Sequence, residues 1–402
     1  MSCKDLLDNP VLYYQGQYIC PNCVYQADLQ KFVQYHIGEK NCCSICNKYC
    51  KVMPLDEFLA YVKNCIISHY DDAANFMPHD SREGGYMGGQ TYDTYDLIKD
   101  ELFSEESLQL QDILQNYLGD KIWGDTYADS NAAEPLWNAW EHFKNIAIKQ
   151  YRYTFLALQM HPTPNQFTAA NSSSPKDTLS MLQSLIQEYQ LFTKIPFGTI
   201  FYRARVLDNG SPCTIHQLCP PPAKLTPAGR MNSAGISLFY CSADKDTCLH
   251  EINTPSIQQN RVVAHFKNLR ELIVLDLTNL PSLPSIFSEK KDERPTLQFL
   301  HGFAQEISEP LPKDDNLKLQ YIPTQILTEY FRYFVTESNH KKLDGICYQS
   351  AVHPSGKNYA LFFDQNDFKD VNYENVSSHS KTPSFELVET EMNPLCLKND
   401  YF

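Results

Sequence analysis

The spacing of hydrophobic residues changes near residue 199. Between residues 54 and 193, apolar residues recur every three or four positions, which is the spacing of amphipathic helices. Pro162 and Pro164 are expected to stop the third helix of this region. Four helices are predicted: 56–70, 107–118, 134–159 and 175–192.

From Thr199 onwards the pattern becomes that of strands. Residues 200–206 alternate, which places Phe201, Arg203 and Arg205 on one strand face. A helix beginning near Asp244 or Asp246 and further helices at 297–307 and from 321 interrupt the strands. The tail after residue 370 is polar and is expected to be partly disordered. The other predicted strands are 236–240, 261–266, 272–277, 345–348 and 359–363. A helical first half followed by a mixed second half predicts an α+β protein.

Composition and charge exclude several classes of protein. The 402 residues are enough for two or three domains, and the net charge of −14 argues against general nucleic-acid binding. No apolar run reaches the length of a membrane span, and the first residues lack a secretory pattern. We therefore expect a cytoplasmic protein without a membrane partner. In that compartment the fourteen cysteines favour metal ligands or buried thiols over disulfides.

Two Cys-x-x-Cys pairs near the N-terminus indicate a zinc site. Four thiolates supply the tetrahedral set that structural Zn²⁺ prefers, and the separation of 19 residues fits a zinc ribbon. Reduced free thiols are the alternative, and Cys42 and Cys50 leave the choice of ligands open by one position. A catalytic zinc is disfavoured because four cysteines leave no open coordination position. The predicted ligands are Cys20, Cys23, Cys43 and Cys46.

Polar residues fall in three groups at or near the ends of predicted strands. This arrangement predicts one pocket built from distant parts of a sheet. Taken singly, each residue has a simpler explanation, such as an exposed cation, a turn, a solvated carboxylate or a packed ring. The groups are Arg203 with Arg205; Gly229, Arg230, Asn232, Gly235, Tyr240 and Glu251; and Asp344, Gly345, Tyr348, Ser350 and Asn358.

Taken in order, these motifs resemble the RES domain, a family named for its Arg, Glu and Ser. The resemblance covers roughly residues 190–365 and includes a Tyr-x-Pro-Thr-Gln motif at 321–325. The cysteine pairs followed by helices are similar to the HEPN-type region ahead of some RES domains. The predicted organisation is a zinc module at 1–53, a HEPN-like helical domain at 54–193, a RES domain at 194–368 and a tail at 369–402.

The resemblance implies a mixed β core like that of the mono-ADP-ribosyltransferases, flanked by helices, and an enzyme that cleaves NAD⁺. It implies a toxin or defence effector that depletes NAD⁺, with inorganic phosphate as acceptor and nicotinamide and ADP-ribose 1″-phosphate as products. The residues that match as catalytic are Arg230, Glu251, Ser350 and Tyr240. Those that match as contacts to NAD⁺ are Arg203, Arg205, Asn232, Tyr348 and Asn358.

These residue types suit the implied chemistry. Arg203 and Arg230 can bind a pyrophosphate with fork geometry. Glu251 can stabilise the positive charge that builds on the ribose as nicotinamide leaves. Tyr240 can stack on the nicotinamide ring, and Ser350 can hydrogen-bond a phosphate or the incoming nucleophile.

Other functions stay open at this point. The same pocket could belong to an NAD⁺ glycohydrolase or to an ADP-ribosyltransferase acting on a macromolecule. A third hypothesis is a zinc-dependent binding or sensor protein whose RES domain is catalytically silent. A HEPN-type ribonuclease is disfavoured, because neither Arg82 nor Arg152 is followed by a histidine after an interval of four to six residues, the Arg-x(4–6)-His spacing of those enzymes. An inhibitory partner or antitoxin is expected to restrain a NAD⁺-depleting enzyme, and a homo-oligomer is open.

Overall fold

The computed structural model describes residues 13–80, 85–87, 90–103, 105–125, 133–152, 174–208, 213–252, 259–309, 319–337, 340–369 and 382–393. The chain divides into two compact units. The first consists of Met1–Pro135 with Ser282–Gln298, and the second of Leu136–Pro281 with Phe299–Phe402. A segment from the second half of the chain therefore belongs to the first unit. The domain boundaries expected at residues 53, 193 and 368 remain predictions.

Helices and short strands alternate in the first unit. The helices are α1 (Ala27–His36), α2 (Leu55–Ile67), α3 (Ala73–Phe76), α4 (Thr94–Asp96), which continues as a π-helical turn (Leu97–Leu102), and α5 (Leu108–Leu118). The strands are β1 (Tyr18–Ile19), β2 (Lys40–Cys42), β3 (Tyr49–Lys51), β4 (Met53–Pro54), β5 (Tyr70–Asp72), β6 (His79–Asp80), β7 (Gly85–Tyr86), β8 (Thr91–Asp93) and β9 (Ile122–Asp125). They form three two-stranded pairs, β1–β4, β2–β3 and β6–β7, and a sheet of order β5-β9-β8.

Helix α2 forms because its apolar residues share one face, and that face is buried. Phe58, Leu59, Val62 and Ile66 are fully enclosed in the core of the first unit. The segment Ser282–Gln298 adds Ile286 and Phe287 to the same core, and the Phe287 ring lies 5.4 Å from that of Phe103. The region predicted to be helical throughout thus also contains strands β5–β9, whose lengths of two to four residues are too short for a clear alternation.

The second unit contains an eight-stranded sheet. Its strands are β10 (Phe192–Ile195), β11 (Ile200–Asp208), β12 (Phe239–Ser242), β13 (Gln259–Asn268), β14 (Leu272–Asp276), β15 (Gly345–Gln349), β16 (Lys357–Leu361) and β17 (Phe385–Asn393). The order is β10-β14-β15-β16-β12-β11-β13-β17, and of these pairs β14–β15 is parallel and the others are antiparallel. The helices are α6 (Glu134–Lys149), α7 (Pro175–Glu188), α8 (Ile215–Leu218), α9 (Lys245–His250), α10 (Arg294–Ser308) and α11 (Ile322–Phe334). The α+β prediction is confirmed.

The sheet brings distant polar residues onto neighbouring strands. Tyr202 of β11 lies opposite Ser242 of β12, and Ser242 lies opposite Asn358 of β16. Asn358 in turn lies opposite Tyr348 of β15. Glu251 directly follows α9, and only Ala243 and Asp244 separate the start of that helix from the end of β12. The strand register therefore gathers one side-chain cluster from four separated segments.

The structure differs from the sequence-based prediction in the end of helix α6 and in the C-terminal tail. Helix α6 ends at Lys149; residues 153–173, with both prolines expected to stop it, lie outside the described residues. The tail expected to be partly disordered contributes the edge strand β17. Phe385 holds this strand in place because its ring is fully buried in the sheet core, and Glu386 pairs with Lys267 and Lys369. Residues 370–381 and 394–402 of the tail lie outside the described residues.

Gly345 is required by the close approach of β15 and β16. A Cβ atom at this position would lie 2.7 Å from the Ala360 carbonyl oxygen and 2.6 Å from Leu361 Cδ2. We expect Gly345→Ala to lower the free energy of unfolding by about 1–3 kcal/mol, as overpacking does in cores. Thermal denaturation measures this loss. The matched control is Gly38→Ala, whose added Cβ meets no heavy atom within 4 Å; an equal loss in both variants would contradict the explanation.

Candidate functional site

A cavity of about 360 Å³ opens where β11, β12, β15 and β16 meet the loop after α8. Seven of the nine residues predicted for substrate binding and catalysis line it: Arg203, Arg205, Asn232, Tyr240, Glu251, Tyr348 and Asn358. Arg230 and Ser350 are not among its lining residues, but each contacts a residue that is. The remaining wall is largely apolar and includes Pro221, Pro227, Leu238 and Ile252.

Two arginines from β11 line the cavity, and neither forms an ion pair with a carboxylate among the described residues. Arg203 is 6% exposed; its Nη1 donates to the Tyr240 carbonyl and its guanidinium lies over the Phe239 ring. The Nε atoms of Arg203 and Arg205 are buried and have no hydrogen-bond acceptor among the described residues. Burial, and then the charge of Arg205, lowers the pKa of Arg203, although an arginine stays protonated at neutral pH. Buried cations with unused donors are suited to an anionic ligand.

Glu251 also lines the cavity, and one of its carboxylate oxygens is held in place. Oε1 accepts hydrogen bonds from Ser350 Oγ at 2.7 Å and from Asn358 Nδ2 at 2.5 Å. Asn358 is itself oriented by Ser242, whose hydroxyl donates to its Oδ1 at 2.7 Å. The other oxygen, Oε2, has no hydrogen-bond donor among the described residues. This oxygen is therefore available to a ligand.

The hydroxyl of Ser350 is fully engaged. It donates its single proton to Glu251 and accepts from the backbone N–H groups of Val352 and His353, at 3.3 and 3.2 Å. A hydroxyl has one proton and two lone pairs, so this set uses its whole capacity. The geometry supports orientation of Glu251 by Ser350 more than the phosphate contact expected from the sequence.

Two tyrosines line the cavity, and Tyr348 is buried while Tyr240 is partly buried. Tyr240 donates its hydroxyl proton to Asn232 Oδ1 at 2.8 Å and accepts from the Met231 N–H at 3.2 Å. Burial raises the pKa of Tyr240 to about 12 and also raises the pKa of Tyr348. Both phenols are therefore neutral at physiological pH. The lining of the cavity therefore combines aromatic rings and neutral hydroxyls with the arginines and one carboxylate.

Arg230 is anchored at the end of helix α10. Its Nη1 donates to the Ser308 and Ile307 carbonyls, and its guanidinium lies 5.9 Å from the centre of the Tyr348 ring. A cation is favourable at a helix C-terminus, where the carbonyl groups carry partial negative charge. The other guanidinium nitrogens have no hydrogen-bond acceptor among the described residues.

The Tyr-x-Pro-Thr-Gln motif holds the backbone beside Arg230. The Thr324 hydroxyl donates to the Arg230 carbonyl at 2.6 Å, and the Gln325 amide donates to the Gly229 carbonyl at 2.7 Å. Gly229 is packed so tightly that an added Cβ would lie 2.5 Å from Asn232 Oδ1. The motif was visible in the sequence, but its contacts with this turn were not.

Three residues that line the cavity gave no sequence signal, whereas Asp344, which the sequence did single out, does not line it. Ser242, Cys241 and Cys248 line the cavity, and Asp344 serves the fold, since it pairs with Arg270 and accepts from the Ile273 N–H. Burial raises the pKa of Cys248 to about 12 and raises that of Cys241 well above its usual value, so both thiols are protonated. Cys241 and Ser242 lie in the short strand β12 and Cys248 lies in helix α9, and none of the three belongs to a recognisable motif.

The four cysteines predicted to bind zinc converge in the first unit. Their Sγ atoms all lie within 4.8 Å of one another. The pairs Cys20–Cys23, Cys20–Cys46 and Cys23–Cys43 are 3.6, 3.8 and 3.8 Å apart. A tetrahedral site with Zn–S bonds of about 2.3 Å has S···S edges of about 3.8 Å. The arrangement fits a metal such as zinc.

The ambiguity in the ligand set is resolved by position. Cys42 is exposed on β2, and Cys50 Sγ contacts the Lys48 carbonyl instead of the cluster. Burial raises the pKa of Cys20 to about 12 and raises that of Cys23, whereas the Lys48 N–H lowers the pKa of Cys46 to about 7. Because zinc binds thiolates, binding must release protons, and the affinity should fall as the pH falls.

Removal of this metal is expected to unfold the region around the cluster. A structural zinc contributes roughly 10 kcal/mol or more to folding, so an excess of chelator should lower the melting temperature and abolish the order of residues 18–54. Zinc released on thiol modification should amount to about one ion per chain. Cys23→Ser should lose the ion, whereas Cys42→Ser and Cys50→Ser should keep it. Full zinc in the Cys23→Ser protein would contradict the assignment.

Comparison with known families identifies two matches. Residues 201–383 match the RES domain, and residues 36–160 match HEPN/RES N-terminal domain 1. No curated protein and no solved structure matches the chain. The first match contains all the cavity residues described above, and the second begins between the two cysteine pairs. Within the described residues, no helix is apolar enough over a sufficient length to cross a membrane.

Proposed function

We propose that this chain, whose residues 201–383 match the RES domain and whose residues 36–160 match a HEPN/RES N-terminal domain, cleaves the bond between nicotinamide and ribose in NAD⁺ by phosphorolysis. RES domains form a toxin-like family related to NAD⁺. The proposed products are nicotinamide and ADP-ribose 1″-phosphate, and the proposed consequence is depletion of NAD⁺. One observation carries the proposal: two arginines whose buried Nε atoms have no acceptor among the described residues line the same cavity as a single oriented carboxylate.

The arginines supply the site for the pyrophosphate. Arg203 and Arg205 follow each other on one face of β11, and both have a buried Nε donor without an acceptor among the described residues. A pyrophosphate offers several acceptor oxygens and the negative charge that these cations lack. Binding would then use donors that are already desolvated, so little further desolvation is required of the protein.

Glu251 is proposed to act on the ribose next to nicotinamide. As the bond to nicotinamide breaks, positive charge develops on the ribose ring, and a nearby carboxylate stabilises it. Ser350 and Asn358 fix Oε1, which leaves Oε2 for the ribose. No general acid is needed, because nicotinamide leaves as a neutral molecule. Tyr240 and Tyr348 offer neutral rings against which the nicotinamide can pack.

The titratable groups favour phosphate over water as acceptor. Glu251 is the one carboxylate among the described residues that line the cavity, and its role is beside the sugar. The tyrosine hydroxyls and cysteine thiols of the lining are held protonated by burial. Water needs a base in order to attack, whereas phosphate is already an anion at neutral pH. The unused guanidinium nitrogens of Arg230 could hold this second anion.

Analysis of the products tests the proposal. Purified full-length protein is incubated with NAD⁺, with and without inorganic phosphate, and the products are examined by HPLC and phosphorus NMR. Nicotinamide release that requires phosphate, together with a new sugar-phosphate resonance, is the expected result. Release of ADP-ribose without phosphate dependence would replace phosphorolysis by hydrolysis. Label transferred from NAD⁺ to macromolecules of a lysate would favour an ADP-ribosyltransferase.

We also propose that the eight-stranded sheet is related to the mono-ADP-ribosyltransferase core, and that zinc occupies the cysteine cluster. The mixed sheet with its cavity at the central strands is consistent with that relationship. A toxin of this kind needs restraint in its own cell, so an inhibitory partner or antitoxin is part of the proposal. Co-purification of the chromosomally tagged protein, followed by an assay of NAD⁺ cleavage with and without the partner, tests this point.

A further inference from the structure

We propose that Thr247 and His353 are positioning residues that fix the direction of the Glu251 carboxylate. The inference rests on the proposed function, because it assigns them an effect on the step that Glu251 serves. Neither residue was singled out by the sequence, and neither lines the cavity. Both act through the loop formed by residues 350–356.

This loop determines where the Ser350 hydroxyl lies. The Ser350 N–H donates to the Gly356 carbonyl at 2.8 Å, and the Gly356 N–H donates to the His353 carbonyl at 2.9 Å. The N–H groups of Val352 and His353 point inward to Ser350 Oγ. With both lone pairs occupied by these amides, the hydroxyl proton is directed at Glu251 Oε1. A change in the conformation of the loop would therefore change the orientation of the Glu251 carboxylate.

The loop is fastened to helix α9 through one buried hydroxyl. Thr247 is fully buried, and its Oγ1 lies 2.7 Å from Asp244 Oδ2 and 2.9 Å from His353 Nδ1. An ionised carboxylate only accepts, so the threonine proton belongs to the bond with Asp244. His353 must then donate from Nδ1 to the threonine oxygen, in the neutral as well as the protonated imidazole.

Packing strengthens the same attachment. The His353 ring stacks on the His250 ring, with 4.9 Å between centroids and 8° between planes. Gly356 lies so close to Thr247 that an added Cβ would be 2.3 Å from the threonine oxygen. Thr247 and His250 thus hold the loop along the length of α9, and Glu251 caps that helix.

The attachment matters because α9 is only six residues long. So short a helix is not stable by itself and depends on tertiary contacts. Glu251 is bound to it by one backbone bond, from its N–H to the Thr247 carbonyl at 3.2 Å. Helix α9 and the loop are therefore joined at two points. Thr247 is hydrogen-bonded to His353, and Ser350, which the loop positions, is hydrogen-bonded to Glu251 at the end of the helix.

Isosteric variants test this arrangement. Thr247→Val keeps the shape and removes the hydroxyl, whereas Thr247→Ser keeps the hydroxyl. We expect Thr247→Val and His353→Ala to lower kcat for nicotinamide release by about 10- to 100-fold, as misplacement of a catalytic group does. KM for NAD⁺ should stay within about threefold, because the arginines are untouched. Thr247→Ser and His353→Asn, which can donate from the same position, should recover most of the loss.

Thr178→Val is the matched control for general destabilisation. Thr178 is also a buried helical threonine in the second unit, and its hydroxyl bonds to the Ala139 and Ser174 carbonyls. The kcat of the Thr178→Val variant should remain at the wild-type value after correction for the folded fraction. A kcat within about twofold of wild type in both Thr247→Val and His353→Ala overturns the inference.

A second measurement separates this inference from the proposed function. If the wild-type protein does not cleave NAD⁺ under any acceptor condition, the proposed function fails. Amide hydrogen exchange then decides the positioning role: the N–H groups of Val352, His353 and Glu251 should exchange faster in Thr247→Val than in Thr178→Val. Equal exchange in the two variants would overturn the inference independently of activity.

Discussion

Replacing Glu251 by Gln is expected to lower kcat for nicotinamide release by roughly 10²- to 10³-fold, the effect of removing one electrostatic contact to a transition state. The amide keeps the size of the carboxylate, and its oxygen can still accept from Ser350 and Asn358. The charge alone is lost. Because NAD⁺ is held chiefly by the arginines in the proposed complex, KM should change little. Initial rates of nicotinamide release across a range of NAD⁺ concentrations measure both constants.

Glu306→Gln is the control for this experiment. Glu306 also lies in the second unit, where it accepts hydrogen bonds from Trp140 and Lys144, and it does not line the cavity. This variant should retain wild-type kcat once its folded fraction is known. If Glu251→Gln kept a third or more of the wild-type kcat, the carboxylate would have no essential role, and the proposed mechanism would be wrong.

Replacing Arg203 by Met is expected to weaken NAD⁺ binding by about 10²-fold, since loss of one partner of a buried charged hydrogen bond costs roughly 2–5 kcal/mol. The same change should raise the melting temperature of the ligand-free protein. Arg203 is a buried cation without a carboxylate partner in the part of the chain that the structure describes, and an apolar side chain of similar length removes its desolvation penalty. Calorimetric titration with NAD⁺ and thermal denaturation with and without NAD⁺ measure the two effects.

Weaker NAD⁺ binding together with a higher melting temperature distinguishes a ligand-binding arginine from a structural one. A merely structural arginine would lower the melting temperature when replaced, and ligand binding would fall with it. Arg332→Met is the control, because Arg332 donates to the Phe362 carbonyl and packs on two aromatic rings outside the cavity. It should lose stability and keep its affinity for NAD⁺. If Arg203→Met bound NAD⁺ with wild-type affinity, the pyrophosphate site would lie elsewhere.

Features that depend on short-range pattern could be predicted from the sequence. Alternation placed Arg203 and Arg205 on one strand face, and the structure has both in the cavity. The repeated Cys-x-x-Cys spacing identified the four thiols that converge. Helices α2, α5, α10 and α11 fall within a few residues of their predicted bounds, because each has a clear apolar face and recognisable ends.

Features that depend on contacts between distant residues could not be predicted. Nothing near Arg230 indicates that it would lie on the carbonyl groups of helix α10, some eighty positions away. Strand β17 has only two strongly apolar core residues, and its Glu386 and Glu391 pair with Lys267 of β13 and Lys245 of α9. The contact between Thr247 and His353 joins residues that carry no recognisable motif.

The segment Ser282–Gln298 limits how the two halves of this chain can be separated or exchanged during evolution. It lies within residues 201–383, yet its Ile286 and Phe287 are part of the core that surrounds helix α2. A gene fusion that joined the first 135 residues to another enzyme would leave that core without two large side chains. Recombination between paralogues at a domain boundary would meet the same penalty. The two regions should therefore be inherited as a pair, with substitutions at Phe103 and Phe287, whose rings touch, changing together.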